Sequence, residues 1–166
     1  IGEIGINHNG DMQICKKLID AVNACNWNCA KFQKRNPDVC VPEHQKNKPK
    51  STPWGDMTYL NYKKKIEFSE EQIRELVEYS NTLGIIFFAS VWDKDSVDIM
   101  AKYTQIAKIG SASITDIDLC KYARDKFKTL IISTGMSTEE EITQCIDICK
   151  PDVIMHTNST YPCPVE

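Results

Sequence analysis

The sequence predicts an α/β fold of the (β/α)8 (TIM) barrel class, covering about six strands and five helices. Three observations carry this. Short apolar runs without polar alternation recur along the 166 residues, as expected of strands buried on both faces. Each run is followed by a stretch with helical apolar spacing, so strand and helix alternate. From the third strand onward the unit repeats about every 25 residues, against roughly 250 residues for a complete eightfold barrel. The competing architecture, a doubly wound open sheet, would carry a glycine-rich turn after its first strand; here that turn reads Asn7-His8-Asn9-Gly10.

The elements follow in order. Residues 1–6 form a β-like run ending in that polar turn. Residues 12–25 place Ile14, Leu18, Ala21, Val22 and Cys25 at helical spacing, with Asp11 as N-cap. Residues 28–33 are the second strand. The segment 34–68 is too long for a plain βα loop; rich in Lys, Pro and Asn, with Trp54, Tyr59 and Tyr62, it reads as a functional loop. Ser69 to Gln72 has the capping-box pattern and opens a helix that stops at Gly84. Residues 85–90, 105–109, 129–133 and 152–156 are the remaining strands. Helices lie between them at 95–103, 116–126 and from Ser137-Thr138-Glu139-Glu140, a second capping-box pattern, to about Lys150.

Composition narrows the function. The chain is 42% hydrophobic and 26% charged, an ordinary globular balance. A net charge of −3 argues against a nucleic-acid binder and against a polybasic membrane-surface protein. No apolar run is long enough for a transmembrane helix, and residues 1–6 lack the basic and apolar regions of a signal peptide. The eight cysteines include no CxxC pair. Without a secretory signal they read as reduced, structural thiols of a cytoplasmic protein. Cys25 and Cys29, like Cys145 and Cys149, have the spacing of one helix face.

In a barrel, chemistry sits where strands end. Glu3 interrupts the first strand, Lys31 and Gln33 the second, and Lys108 the fourth. A lysine in a buried strand needs an anionic partner, which is either a ligand or, for one of them, Glu3. Ser90, Ser111, Ser133 and Ser159 end or follow four strands and form a plausible hydroxyl cradle for phosphate. His8 and His156 have no partners at ligand spacing and read as satisfied or orienting groups.

Several segments then match a known family in order: Glu3-Ile4-Gly5-Ile6-Asn7-His8-Asn9-Gly10, Ala30-Lys31-Phe32-Gln33, Thr52-Pro53-Trp54-Gly55-Asp56-Met57-Thr58-Tyr59, Lys108-Ile109-Gly110-Ser111, Ser133-Thr134-Gly135-Met136 and Ser159-Thr160-Tyr161-Pro162. The chain resembles the sialic acid synthase family, (β/α)8 barrel enzymes that condense phosphoenolpyruvate with an N-acetylated amino sugar. The resemblance implies that Lys31, Ser90, Lys108, Ser111, Ser133 and Ser159 contact phosphoenolpyruvate. Glu3 and Tyr161 would face the sugar, with Glu3 also steering protons. At Ser90 many relatives carry Thr in a Ser-Thr-Pro-Phe stretch, where this chain has Ala89-Ser90-Val91-Trp92.

By the same resemblance, a divalent metal (Mn2+ or Mg2+) polarises the sugar aldehyde. Carbon 3 of phosphoenolpyruvate attacks it, water adds at carbon 2, and phosphate leaves by C–O cleavage. The metal-binding histidines of the family lie on later strands, so no metal ligand is expected within 1–166. A small antifreeze-like domain, which reaches the site of the neighbouring subunit in a homodimer, follows those strands. Residues 1–166 are therefore expected to be the N-terminal part of one barrel domain, inactive when expressed alone; robust condensation by that piece with manganese would refute this. Two other readings stay open. One is an aldolase using Lys31 or Lys108 as a Schiff base; the other is a non-catalytic barrel that binds a phosphosugar. Cys163, close to Tyr161, is a candidate reactive thiol.

Overall fold

The computed structural model describes residues 1–160 and 162–164. The chain divides into two compact units, 1–88 and 89–166. Among the described residues the expected alternation is present: six strands of one sheet are each joined to the next through helical segments. The segment between the second strand and the second long helix carries further elements of its own.

In the first unit, β1 (Gly2–Gly5) pairs in parallel with β2 (Cys29–Lys34), with Glu3 opposite Lys31. Between them α1 (Met12–Ala24) is capped by Asp11, whose carboxylate accepts from the N–H groups of Gln13 and Ile14. The buried stripe of α1 is Cys15, Ile19 and Val22, whereas Ile14 and Cys25 are exposed. The apolar spacing read from sequence was thus right for a helix but one residue out in the face it buries. Cys25 caps α1 and Cys29 opens β2, so these two do not share a helix face.

The segment 34–68 is structured rather than a loop. It holds two four-residue helices, α2 (Pro37–Cys40) and α3 (Glu43–Lys46), the antiparallel hairpin β3 (Pro49–Thr52) with β4 (Gly55–Thr58), and α4 (Tyr59–Ile66). Elements this short show no periodicity in sequence. Thr52 closes the hairpin: its hydroxyl donates to the Gly55 carbonyl at 2.7 Å and accepts from the Trp54 N–H at 3.2 Å. Next, α5 (Glu70–Thr82) starts on the predicted Ser69–Gln72 capping box and ends before Gly84, whose φ of +70° suits glycine. Its buried Ile73, Leu76 and Val77 supply core. The first half of β5 (Ile86–Val91) lies beside β2: Ile86 N–H donates to Asn28 O at 2.9 Å, and Phe87 stacks on Phe32 with centroids 4.4 Å apart.

In the second unit the remainder of β5 is followed in parallel order by β6 (Ile106–Ile109), β7 (Thr129–Ser133) and β8 (Val153–Met155). The intervening helices are α6 (Lys94–Ala101), α7 (Ile117–Lys126) and α8 (Glu139–Cys149). The capping box of α8 is Thr138 with Glu141, one residue later than the sequence suggested. Arg124 ties the end of α7 to the strands: its guanidinium donates to the carbonyls of Phe127 and Lys128 and to the Asp152 carboxylate, at 2.6, 2.7 and 2.7 Å. Asp152 in turn accepts from Leu130 N–H at the start of β7, at 2.8 Å. Between α7 and α8 the thiols of Cys120, Cys145 and Cys149 meet, Cys145 Sγ lying 3.9 and 3.6 Å from the other two. The hydrogen bond to Cys120, and then burial, raise Cys145, and burial first of all pushes Cys149 up to about 12, so these are inert core groups. All eight cysteines are free thiols. No helix among the described residues is long and apolar enough to cross a membrane.

The turn after β1 is fixed by two residues. Gly10 has a φ of +75°, and a Cβ there would collide with the carbonyl oxygen of Lys65. His8 is buried, stacked on Phe68 at 4.2 Å, and its Nδ1 accepts from Gly10 N–H at 3.0 Å. Burial, above all, lowers its pKa to about 4 from an ordinary 6.5; a hydrogen bond to the Gly5 backbone acts in the opposite direction. Between those two values the unfolded chain binds a proton that the folded chain does not. His8 therefore withdraws stability as pH falls from about 6.5 to about 4, by up to about 3 kcal/mol. Urea unfolding at pH 7 and pH 4.5 is expected to show this loss. His8→Gln should be less stable at pH 7 and lose less on acidification; an identical pH dependence in the two proteins would contradict the assignment.

Candidate functional site

Register and alternation decide which polar side chains can act together. In the first unit Glu3 and Lys31 are opposite residues of paired parallel strands and so share one face. Their side chains meet: Lys31 Nζ lies 2.8 Å from Glu3 Oε2, with the lysine 5% and the carboxylate 52% exposed. Of the two partners considered for Lys31, the internal one is therefore present. The burial of this lysine is accounted for without a ligand, and the exposed side of Glu3 is what remains open to solvent. Two residues further along β2, Gln33 accepts a hydrogen bond from Arg35.

Beyond β2, the carboxylate of Glu67 receives Arg35 Nε at 2.6 Å and Lys34 Nζ at 3.7 Å. Lys34 also donates to the Phe68 carbonyl at 2.8 Å. Burial raises the Glu67 carboxyl, opposed by Arg35 and Lys34. This network pins the end of the 34–68 segment to the end of β2. Sequence reasoning did not single it out, although a Lys-Arg pair directly after a buried strand was its visible signal. His8 is used up inside its turn, neutral near pH 7, as the orienting reading expected.

In the second unit Ser90 is opposite Lys108, and Lys108 is opposite Ile131. Ser133, two residues after Ile131, therefore points to the same face as Ser90 and Lys108. Ser90 and Ser133 are buried. Lys108 is only half-buried, less enclosed than the sequence suggested for a central strand. Ser111 and Ser159 converge elsewhere, on Gly135. The Gly135 N–H donates to Ser111 Oγ at 3.0 Å. A Cβ at residue 135 would lie 2.5 Å from Ser159 Oγ and 3.0 Å from Ser111 Oγ. Only glycine leaves the two hydroxyls this close to the backbone there. Since Ser111 Oγ already accepts from Gly135, its own proton is available to donate. The four serines are thus brought together as two pairs, one on the Lys108 face and one around Gly135; the signal for Gly135 was its place in the Ser133-Thr134-Gly135 motif.

Three further candidates stand apart. Tyr161 lies outside the described residues. His156 is exposed. Cys163 is exposed, and its thiol donates to the Pro164 carbonyl at 3.4 Å. Among the described residues no group of three or more His, Cys, Asp or Glu side chains is placed to hold a metal ion. These described residues thus do not supply a site for a divalent metal.

The sequence profile of the NeuB family matches residues 18–166. The chain is 35% identical, over 98% of its length, to an N,N'-diacetyllegionaminic acid synthase of Legionella pneumophila, of which it covers 49%. It is 31% identical, over 98% of its length, to the human N-acetylneuraminate-9-phosphate synthase, of which it covers 47%. The chain thus spans about half the length of these curated relatives. Among solved structures, an N-acetylneuraminic acid (sialic acid) synthetase from Leptospira borgpetersenii, in complex with citrate, superposes with a TM-score of 0.86 at 27% identity. That match covers 99% of this chain and 55% of the synthetase. With the parallel strand order, the Glu3–Lys31 pair and the hydroxyls around Gly135 already in place, the profile match over most of its length assigns the chain to the NeuB family.

Proposed function

We propose that the protein carrying this chain condenses phosphoenolpyruvate with an N-acetylated amino sugar, N-acetylmannosamine or a relative, to give a nonulosonic acid and phosphate. The observation that carries this reading is the pair of hydroxyls on Gly135. Together with Lys108, Ser90 and Ser133 they provide the several donors and the cation that a phosphate or carboxylate requires. The names of the relatives support the same reaction class.

In this proposal Lys108, Ser90, Ser111, Ser133 and Ser159 bind phosphoenolpyruvate, and Lys31 adds a second cation. Glu3 and Tyr161 bind the sugar, and Glu3 is the one catalytic group assigned, steering protons from the exposed side of its carboxylate. Holding both reactants on rigid strands lowers the entropic part of the barrier. The divalent metal implied by the resemblance would polarise the sugar aldehyde, and its ligands are assigned to a part of the relatives that this chain does not span. The six parallel strands are proposed to be six of the eight of a closed (β/α)8 barrel, within a homodimer. Eight free thiols support a reducing, cytoplasmic setting.

A Schiff-base aldolase is the second reading. The ion pair at Lys31 speaks against it, because an ammonium held by a carboxylate has no lone pair with which to attack a carbonyl. Borohydride added with pyruvate is expected to trap no adduct on Lys31 or Lys108; a covalent adduct on either would favour the aldolase.

The hydroxyl pair gives a direct test in the complete protein. Gly135→Ala places a methyl group where Ser111 and Ser159 converge. It is expected to raise the KM for phosphoenolpyruvate at least about tenfold, the cost of roughly one charge-assisted hydrogen bond. The KM for the amino sugar should change little. Steady-state kinetics with each substrate varied in turn separates the two, and an unchanged KM for phosphoenolpyruvate would remove these serines from its site.

A further inference from the structure

The hydroxyls that converge on Gly135 come from loops beyond the sheet. β7 ends at Ser133, whose register partner is Met155, the last residue of β8. Ser111 stands two residues past the end of β6, and Ser159 four past the end of β8. Their placement therefore needs ties outside the regular ladder. One acceptor gathers such ties. The Met155 carbonyl accepts from Thr134 N–H at 3.2 Å, from Thr134 Oγ1 at 3.1 Å and from Thr157 Oγ1 at 3.2 Å. A carbonyl oxygen has two lone pairs, so three donors exceed what satisfying it requires. Continuation of the ladder explains the N–H but not the two hydroxyls.

Both threonines adjoin the converging groups. Thr134 immediately precedes Gly135, whose N–H donates to Ser111 Oγ. Thr157 stands two residues before Ser159, and its own carbonyl oxygen lies 3.2 Å from where a Cβ at residue 135 would be. A β-branched side chain has few χ1 rotamers, so a bonded hydroxyl also fixes the backbone that carries it. The turn depends on such restraint. Met136 has a φ of +62°, uncommon outside glycine and kept only where the surroundings over-determine it. From the other side Ser137 Oγ donates to the Gly135 carbonyl at 3.3 Å.

We propose that Thr134 and Thr157 are positioning residues: by sharing the Met155 carbonyl, their hydroxyls hold Ser111 and Ser159 at the spacing that receives an anionic group of phosphoenolpyruvate. This rests on the synthase reading and adds two residues to it that act through the serines. The carbonyl keeps its bond from Thr134 N–H when either hydroxyl is removed. No acceptor is then left unsatisfied, so the loss falls on placement rather than on folding. Each hydroxyl also backs up the other, and losing both costs more than the two single losses combined.

The test uses the complete protein with Thr134→Val, Thr157→Val and both together; valine keeps the branched shape and removes only the donor. Each single change is expected to raise the KM for phosphoenolpyruvate about two- to threefold, and the pair at least about fifteenfold, more than the product of the two. The kcat and the KM for the amino sugar should stay within about twofold. Thr134→Ser with Thr157→Ser should restore the original KM. In a Ser111→Ala, Ser159→Ala protein the two valines should change the KM for phosphoenolpyruvate by less than about twofold, because the groups they position are gone. An unchanged KM for phosphoenolpyruvate in the double-valine protein would overturn the proposal, as would an equal rise with the serines absent, which would mean a merely structural role. If the double variant does not fold, the singles decide: a rise that serine reverses supports the proposal, and no rise in either overturns it. Calorimetry with phosphoenolpyruvate alone covers failure of the reaction. Binding that the paired valines weaken tenfold or more, without turnover on any N-acetylated amino sugar, would defeat the synthase reading and leave the positioning role standing. Turnover with a KM insensitive to the valines would do the opposite, and no binding by the unsubstituted protein would overturn both.

Discussion

A charge buried in a sheet must be partnered, and that constraint organises the first unit. Lys31 sits in the middle of β2 with almost no exposure, and Glu3 answers it from the adjacent strand at 2.8 Å. Unpaired, the ammonium would be forced to lose its proton or the strand its place. A shift of β1 by one residue would send Glu3 to the opposite face of the sheet. The ion pair therefore selects the register, and with it the direction in which β1 hands the chain to its following turn. Everything built on that turn inherits the choice, including the position of His8 against Phe68 and the close approach of Gly10 to Lys65.

The second unit solves a different problem, the placement of neutral donors. Its strands carry little charge; what the loops after them need is backbone close enough to gather side-chain hydroxyls. Gly135 supplies this by having no Cβ, and Arg124 with Asp152 holds the ends of α7, β7 and β8 at fixed spacing. The unit keeps this ionic clamp at its solvent-accessible rim and leaves its core mostly to aliphatic side chains and thiols.

Much of this was legible in the amino-acid sequence, for reasons that are local. Asp11, Ser69 and Gly84 mark helix ends because each meets a hydrogen-bonding or dihedral demand of a single turn. The β6, β7 and β8 strands are visible as apolar runs. The misreadings share a cause as well. Ile14 looked buried because periodicity gives a helix its stripe but not its rotation, which Cys15 and Ile19 settle by packing. The hairpin 49–58 escaped notice because strands of four residues, none of them buried, leave no pattern. At the candidate site, Lys31 and the four serines were readable as residue types and Glu3 as one candidate partner for a lysine, but which of these groups meet was not. That Glu3 lies opposite Lys31 depends on register, and that Ser111 and Ser159 meet at Gly135 depends on contacts across 24 and more residues of chain.

The three thiols between α7 and α8 carry a consequence of another kind. Cys120, Cys145 and Cys149 are fully buried and belong to two elements that must separate before any reagent reaches them. Their alkylation therefore follows a transient opening rather than intrinsic nucleophilicity. The slow labelling of these sulfurs is a built-in clock for the breathing of one helical layer, readable by mass without any added label.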